Sequence, residues 1–230
     1  MENDDTASRW ISHWIPAINW DTPAGAVLRG VLSIIPEGSC LTLFGSAPLQ
    51  ITVDTGLLSR DVDLFCDTAI EDLIVRHGLG PKQTELFVQV CDELNFRTSP
   101  RWAGRAYRES IRGRHLVIPH PIDILIAKLH RLEDKDMRAF EAVRARTGHP
   151  TEAEMRHELM RAVDLFRPGF DEEGMQGDIT VNTRILWQEF FGRDIDVRNE
   201  IIAPALAIRR KGYEGDRALT DYKAILRSKT

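Results

Sequence analysis

The run Asp61-Val62-Asp63-Leu64 alternates acid and apolar residue, and that alternation constrains the chain more than any other feature. In a strand successive side chains point to opposite faces, so Asp61 and Asp63 share one face about 6 to 7 Å apart, while Val62 and Leu64 share the other. Like charges held that close repel and lose hydration. A fold keeps such a pair only where a cation sits between them or where both face open water. Carboxylate oxygens select a hard divalent ion, above all Mg2+, which keeps several waters and takes its remaining ligands from substrate phosphates. The spacing therefore points to a metal-bound nucleotide.

The residues upstream supply a complementary part. Cys-Leu-Thr-Leu-Phe, residues 40–44, is a short apolar, β-leaning run that reads as a buried strand, and Gly45 lets the backbone turn sharply at its end. Ser46 then opens a helix. Amides near Ser46, together with its hydroxyl, are placed to hold a β- or γ-phosphate, because a helix N-terminus carries unpaired N–H groups and the positive end of the macrodipole.

Strand, Gly-Ser, a spacer of 14 residues and then Ser59-Arg60-Asp61-Val62-Asp63-Leu64-Phe65 resembles the signature of the DNA polymerase β-like nucleotidyltransferase superfamily, in its minimal and AbiEii-like toxin branches. A second stretch, residues 115–143, adds to the resemblance. It reads as a short strand, a turn at Pro119 and Pro121, and one helix with Ile122, Leu125, Ile126 and Leu129 on a stripe and Lys128, Arg131, Lys135 and Asp136 on its later turns. This is similar to the helical motif of the toxin-like branch, except that Ala139 stands where a further Asp is common. The resemblance implies a mixed-sheet core followed by a helical region that covers the nucleotide. It implies transfer of NMP from an NTP to an acceptor hydroxyl with Mg2+-dependent release of pyrophosphate. It makes Asp61 and Asp63 the metal ligands and catalytic carboxylates, and Gly45, Ser46, Ser59, Lys128 and Asp136 the nucleotide-binding residues. The acceptor stays open among RNA, protein and a small molecule such as an aminoglycoside. For a toxin the resemblance also implies an antitoxin partner.

The superfamily's third carboxylate is expected on the strand read at residues 85–91. Its central polar residue is Gln89, a neutral amide that cannot take a proton from an attacking hydroxyl. Glu85 and Asp92 are the nearest acids, and Asp92 is the favoured third catalytic residue. Gln89 and Ala139 also motivate a second reading, a catalytically silent nucleotide- or RNA-binding module of the same fold. A third reading is an interaction domain whose aspartates face solvent.

With 230 residues, 43% hydrophobic and 28% charged, the chain can build a substantial core. The expected class is α/β (α+β), with an α/β core and N-terminal helices over residues 1–120 and a helical region over 121–230. No apolar run approaches the roughly 18 to 20 residues needed to span a bilayer, and the acidic N-terminus lacks a basic leader, so a cytoplasmic protein with no membrane partner is expected. Cys40, Cys66 and Cys91 lack paired spacing and read as reduced, buried thiols. A net charge of −5 argues against indiscriminate nucleic-acid binding. The segment 97–114 nevertheless carries six arginines with Trp102 and Tyr107 between them, which suits either a phosphate-bearing ligand or an exposed loop and short helix.

Elsewhere the pattern predicts helices. Trp10, Ile11, Trp14, Ile15 and Ile18 sit near helical spacing, Thr22 caps a helix opened by Pro23, and Thr151 with Glu154 forms a capping box. A turn-rich break is expected at 168–178, and helices at 179–191, 197–210 and 217–227. Asp194-Ile195-Asp196 copies the acid spacing but heads a helical pattern, so it reads as an N-terminal cap.

Overall fold

The computed structural model describes residues 9–167 and 178–215. Five strands form one mixed sheet: β1 (Cys40–Leu43), β2 (Asp61–Cys66), β3 (Phe87–Val90), β4 (Tyr107–Ile111) and β5 (Arg114–Ile118), in the order β3-β2-β1-β5-β4. β1 runs antiparallel to β2 and parallel to β5, β2 runs parallel to β3, and β4 pairs antiparallel with β5. Ten α-helices accompany the sheet among the described residues, so the chain is α/β with an α+β arrangement.

The alternation of β2 sorts its side chains between two cores. Val62 and Leu64 turn to a cluster with Leu41, Leu43, Leu116 and α2 (Pro23–Ile34), whose Leu28 and Val31 are at most 1% exposed. Thr22 caps α2 by accepting the Gly25 amide, as the sequence predicts. Phe65, on the other face of β2, packs with Phe44, Phe96 and the helices that follow the sheet. Those helices are α6 (Pro121–Lys128), α7 (Asp134–Thr147), α8 (Glu152–Arg161) and α9 (Ile179–Leu186), continued by a wide turn, Trp187–Phe191. α6 is apolar around nearly its whole circumference, so it lies fully inside, where each buried aliphatic side chain contributes on the order of 1.5–3 kcal/mol. Beyond Ile118 the described residues contain no strand, and none of their helices is long and apolar enough to cross a membrane.

Three expectations are corrected. The single helix predicted through residues 122–136 is two helices, because Leu132 adopts φ 49° and Glu133 starts α7 as its cap. Asp136 closes that capping box by accepting the Glu133 amide at 3.1 Å, so an acid expected on the later turns of one helix lies in the first turn of the next. The tryptophan stripe is helical only over α1 (Arg9–Ser12). Trp10, within it, stacks on His149 at 4.8 Å, and Trp14, beyond its end, meets the edge of His120. Finally, the arginine segment contains β4, joined to β5 by a two-residue turn in which Arg112 (φ 48°) and Gly113 (φ 76°) both take the left-handed conformation.

The other helix signals hold. Thr151 and Glu154 form their capping box, and Asp196 accepts the Asn199 amide at 3.1 Å as a cap. Residues 168–177 of the break predicted at 168–178, and the helix predicted at 217–227, lie outside the described residues.

Candidate active site

β2 carries Asp61 and Asp63 on one face, both half-buried, and its parallel neighbour β3 puts Gln89 directly beside Asp63. At the end of β1 the Phe44 amide donates to the Asp63 carbonyl at 2.8 Å, which brings the chain reversal at Gly45 against the aspartate. Gly45 has φ 63°, and a Cβ there would overlap the Asp63 Oδ2. Both facts require glycine. Gly45→Ala is therefore expected to lose about 2 kcal/mol or more of stability, whereas Gly192→Ala, with φ 74° and open space around it, carries the conformational cost alone. Urea denaturation of the two variants measures the difference. Equal losses would mean that the turn does not press on Asp63.

Ser46 caps α3 (Ala47–Thr52), but its hydroxyl makes no capping bond. It accepts from Lys128 Nζ at 2.9 Å instead. The helix has only six residues and Pro48 removes one of its amides, so the positive charge at this corner is the Lys128 ammonium and not a row of backbone amides. Lys128, at the end of α6, also donates to Asp136 Oδ1 at 2.8 Å, and Arg131 holds both Asp136 oxygens at 3.0 and 3.1 Å. Burial opposes ionisation of Asp136, but the Arg131 hydrogen bond and the Lys128 charge outweigh it and hold the carboxyl below its ordinary range. Asp136 is completely buried, so its part is to fix Lys128 in place.

A cavity of about 650 Å³ opens over these groups, lined by Gly45, Ser46, Ser59, Asp61, Asp63 and Lys128. Arg60, Arg131, Lys135 and Arg138 add positive charge to its wall. Ser59 donates to Asp61 Oδ1 at 3.1 Å, and Gln50 steadies the loop before it by donating to the Leu57 carbonyl at 2.9 Å. A second cavity of about 310 Å³ shares Gly45, Asp63, Gln89, Lys128 and Arg131 with the first and is otherwise lined by the apolar Phe44, Phe96, Ile124 and Ala127 and by Cys91, Asn95, Arg97 and His130.

Burial first, and then the neighbouring Asp61 charge, push Asp63 up to about 6. The Cys91 thiol lies 3.7 Å from Asp63 Oδ1, and burial together with that carboxylate pushes it up to about 12, so it stays a protonated donor. All three cysteines are free thiols.

Of the predicted site residues, the structure brings together Gly45, Ser46, Ser59, Asp61, Asp63, Lys128 and, behind Lys128, Asp136. Asp92 is not among them. It is exposed, accepts the Leu94 amide at 2.9 Å as the cap of the short turn Glu93–Asn95, and lines neither cavity. Glu85 precedes β3 and lines neither cavity either. The strand position beside Asp63 belongs to Gln89. Sequence reading missed Arg60 and Arg138 as site cations. Arg138 follows Lys135 by three residues on α7, a spacing that puts both on one face.

Among the described residues no cluster of three or more His, Cys, Asp or Glu is arranged to hold a metal. The donors present, two carboxylates beside a cationic cavity, fit Mg2+, which commonly takes one or two carboxylates and completes its shell with water and phosphate. Compared with models of protein families, with curated proteins and with solved structures, the chain matches none of them.

Proposed function

We propose that the chain is a nucleotidyltransferase that moves NMP from an NTP to an acceptor hydroxyl and releases pyrophosphate. The observation that carries this reading is the convergence of two half-buried carboxylates and a buried lysine on one cavity, with glycine forced at the corner between them. Asp61 and Asp63 would hold the magnesium. When bound, the ion neutralises charge on the phosphate oxygens.

Lys128, positioned by Asp136, faces the ligand at the Ser46 corner and offsets charge on the departing pyrophosphate. Arg60, Lys135 and Arg138 hold the remaining phosphate oxygens from the rim. Ser59 fixes the orientation of Asp61. The resemblance to the toxin-like branch extends the proposal to the toxin of a toxin–antitoxin pair, active in the cytoplasm.

Gln89 beside Asp63, and Asp92 outside the cavities, favour a second reading in which the site binds nucleotide without turning it over. One experiment separates the two. The purified chain is incubated with labelled NTPs, Mg2+ and total cellular RNA and protein, beside an Asp61→Ala, Asp63→Ala control. Pyrophosphate release and label transfer by the wild type alone are expected. Mg2+-dependent NTP binding without release would support the silent module, and equal labelling by the control would remove both readings.

A further inference from the structure

The two edges of the sheet are finished differently. At β3 the Val88 amide donates to the Leu79 carbonyl at 2.7 Å, so a loop covers that edge. At β4 the edge is open. The two-residue turn makes Ile111 and Arg114 the closing pair, and every second pair along the hairpin bonds in the same way. The His115 amide fixes the phase, because it donates to the Ser39 carbonyl at 2.9 Å, on the β1 side, and not to Ser110 opposite it. The ladder therefore leaves the amide and carbonyl of Arg108 and of Ser110 turned outward and unpaired, a template for one more strand.

The two faces beside that edge select the strand. Tyr107, Glu109 and Ile111 face α2, where a cavity of about 370 Å³ is lined by Trp20, Leu32 and Ile111, with Arg29, Arg112 and Glu109 around them. On the opposite face Arg108 is exposed, donates to the Ala103 carbonyl at 3.3 Å, and has no acid partner among the described residues. Side chains of an added strand alternate between the same two faces. One set would enter the cavity beside Trp20 and Leu32, and the other would lie across from Arg108. Apolar residues alternating with acids complement both.

A second copy of the chain does not meet that requirement. Two β4 strands related by a two-fold axis join their outward groups in registers centred on Arg108, Glu109 or Ser110. The first sets Arg108 against itself, the second sets Glu109 against itself, and the third sets Arg108 against Arg112. Like charges oppose in each. We propose that the open edge of β4 binds an extended segment of a partner protein in which apolar and acidic residues alternate. The segment docks as a further strand, its apolar side chains against Trp20 and Leu32 and an acid opposite Arg108. Asp61 and Asp63 lie on the other face of the sheet, so this binding does not depend on the nucleotidyltransferase reading.

The probe is the peptide Glu-Val-Glu-Val-Glu-Val-Glu, fluorescein-labelled at its N-terminus and amidated, titrated with the purified chain at low salt and followed by anisotropy. Its comparators are Lys-Val-Lys-Val-Lys-Val-Lys and the unalternated Glu-Glu-Glu-Glu-Val-Val-Val. Ser110→Pro removes an outward N–H that β5 does not use, and Arg108→Glu reverses the charge facing the acid. Melting curves first establish that the variants fold, and if Ser110→Pro does not, Arg108→Glu carries the test. The alternating glutamate peptide is expected to bind the wild type at least about tenfold more tightly than either comparator. Each variant should weaken it about tenfold, and Arg108→Glu should come to prefer the lysine peptide. Equal binding of the two glutamate peptides would reduce the contact to charge alone and overturns the proposal. So does binding that the folded variants leave unchanged. A wild type that sediments as a dimer and becomes monomeric on Ser110→Pro would put a second copy on the edge, and overturns it as well.

Discussion

Replacing Arg105 by Met is expected to cost about 3–5 kcal/mol of folding stability, the scale of breaking a buried ion pair by removing one partner. Arg105, at the end of α5 (Trp102–Arg105), is 10% exposed and reaches two carboxylates that are 0% exposed. It binds Asp123 through two nitrogens, each at 2.6 Å, and Glu158 through the third. Without the guanidinium, Glu158 keeps Arg161 at 3.2 Å, whereas Asp123 is left with Thr98. The effect is pH-dependent. Burial opposes ionisation of Glu158, yet the His157 contact and Arg105 hold its carboxyl at about 2. A depressed carboxyl adds stability above its ordinary range near 4.5 and loses it as pH falls toward 2. In the variant the uncompensated carboxyls gain from protonation instead. The gap between the two proteins should therefore be widest near neutrality and shrink in acid. Urea denaturation at pH 7 and pH 4 measures it. A loss below about 1 kcal/mol at pH 7, the scale of a surface pair, would mean that the cluster does not hold the fold together. The consequence reaches the site, because Asp123 and Lys128 lie on the same helix, and a loosened α6 moves the lysine away from Ser46.

That cluster also marks where the sequence stops being legible. The acid–apolar alternation of β2 and the apolar run of β1 are local, so strand, faces and acid pair could all be read from neighbouring residues, and so could the Thr22 and Thr151 caps. Arg105 in a basic segment looks like a solvated charge. Its partners are 18 and 53 residues away, and no local pattern announces a buried triad. β4 hid for a related reason. Tyr-Arg-Glu-Ser-Ile is polar enough to resemble a loop, and it becomes a strand because β5 offers a complete ladder and Arg112-Gly113 closes the turn. Lys128 stands out in the sequence only through resemblance, and its support, Asp136 in the first turn of a second helix, depends on a break that Glu133 and Asp136 together encode. Asp92 is the acid nearest to Gln89 along the chain. Backbone geometry uses its carboxylate as a cap, and the place beside Asp63 falls to Gln89 through strand register, which distance in sequence does not reveal.

Asp63→Asn is expected to separate stability from function in opposite directions. The wild-type carboxyl is pushed up to about 6, first by burial and then by Asp61. A raised carboxyl stabilises the fold where it is protonated, below the unfolded value of 3.8, and that contribution is lost as pH rises through 6. At pH 8 without metal the ionised group therefore weakens the fold by ~2–3 kcal/mol. Asn keeps the shape, can still accept the Cys91 thiol hydrogen bond, and carries no charge. The variant should melt roughly 5 °C above the wild type at pH 8 and match it near pH 4. Adding Mg2+ should raise the wild-type midpoint at pH 8 and leave the variant where it was, because the cation relieves a repulsion that the variant no longer has. Pyrophosphate release should fall by about three orders of magnitude in the same protein. Thermal melts across pH with and without Mg2+, and a coupled phosphate assay, give each quantity separately. A variant that melts at or below the wild type at pH 8 would mean that Asp63 is already paired in the folded chain, and the acid couple would then have no need of a cation.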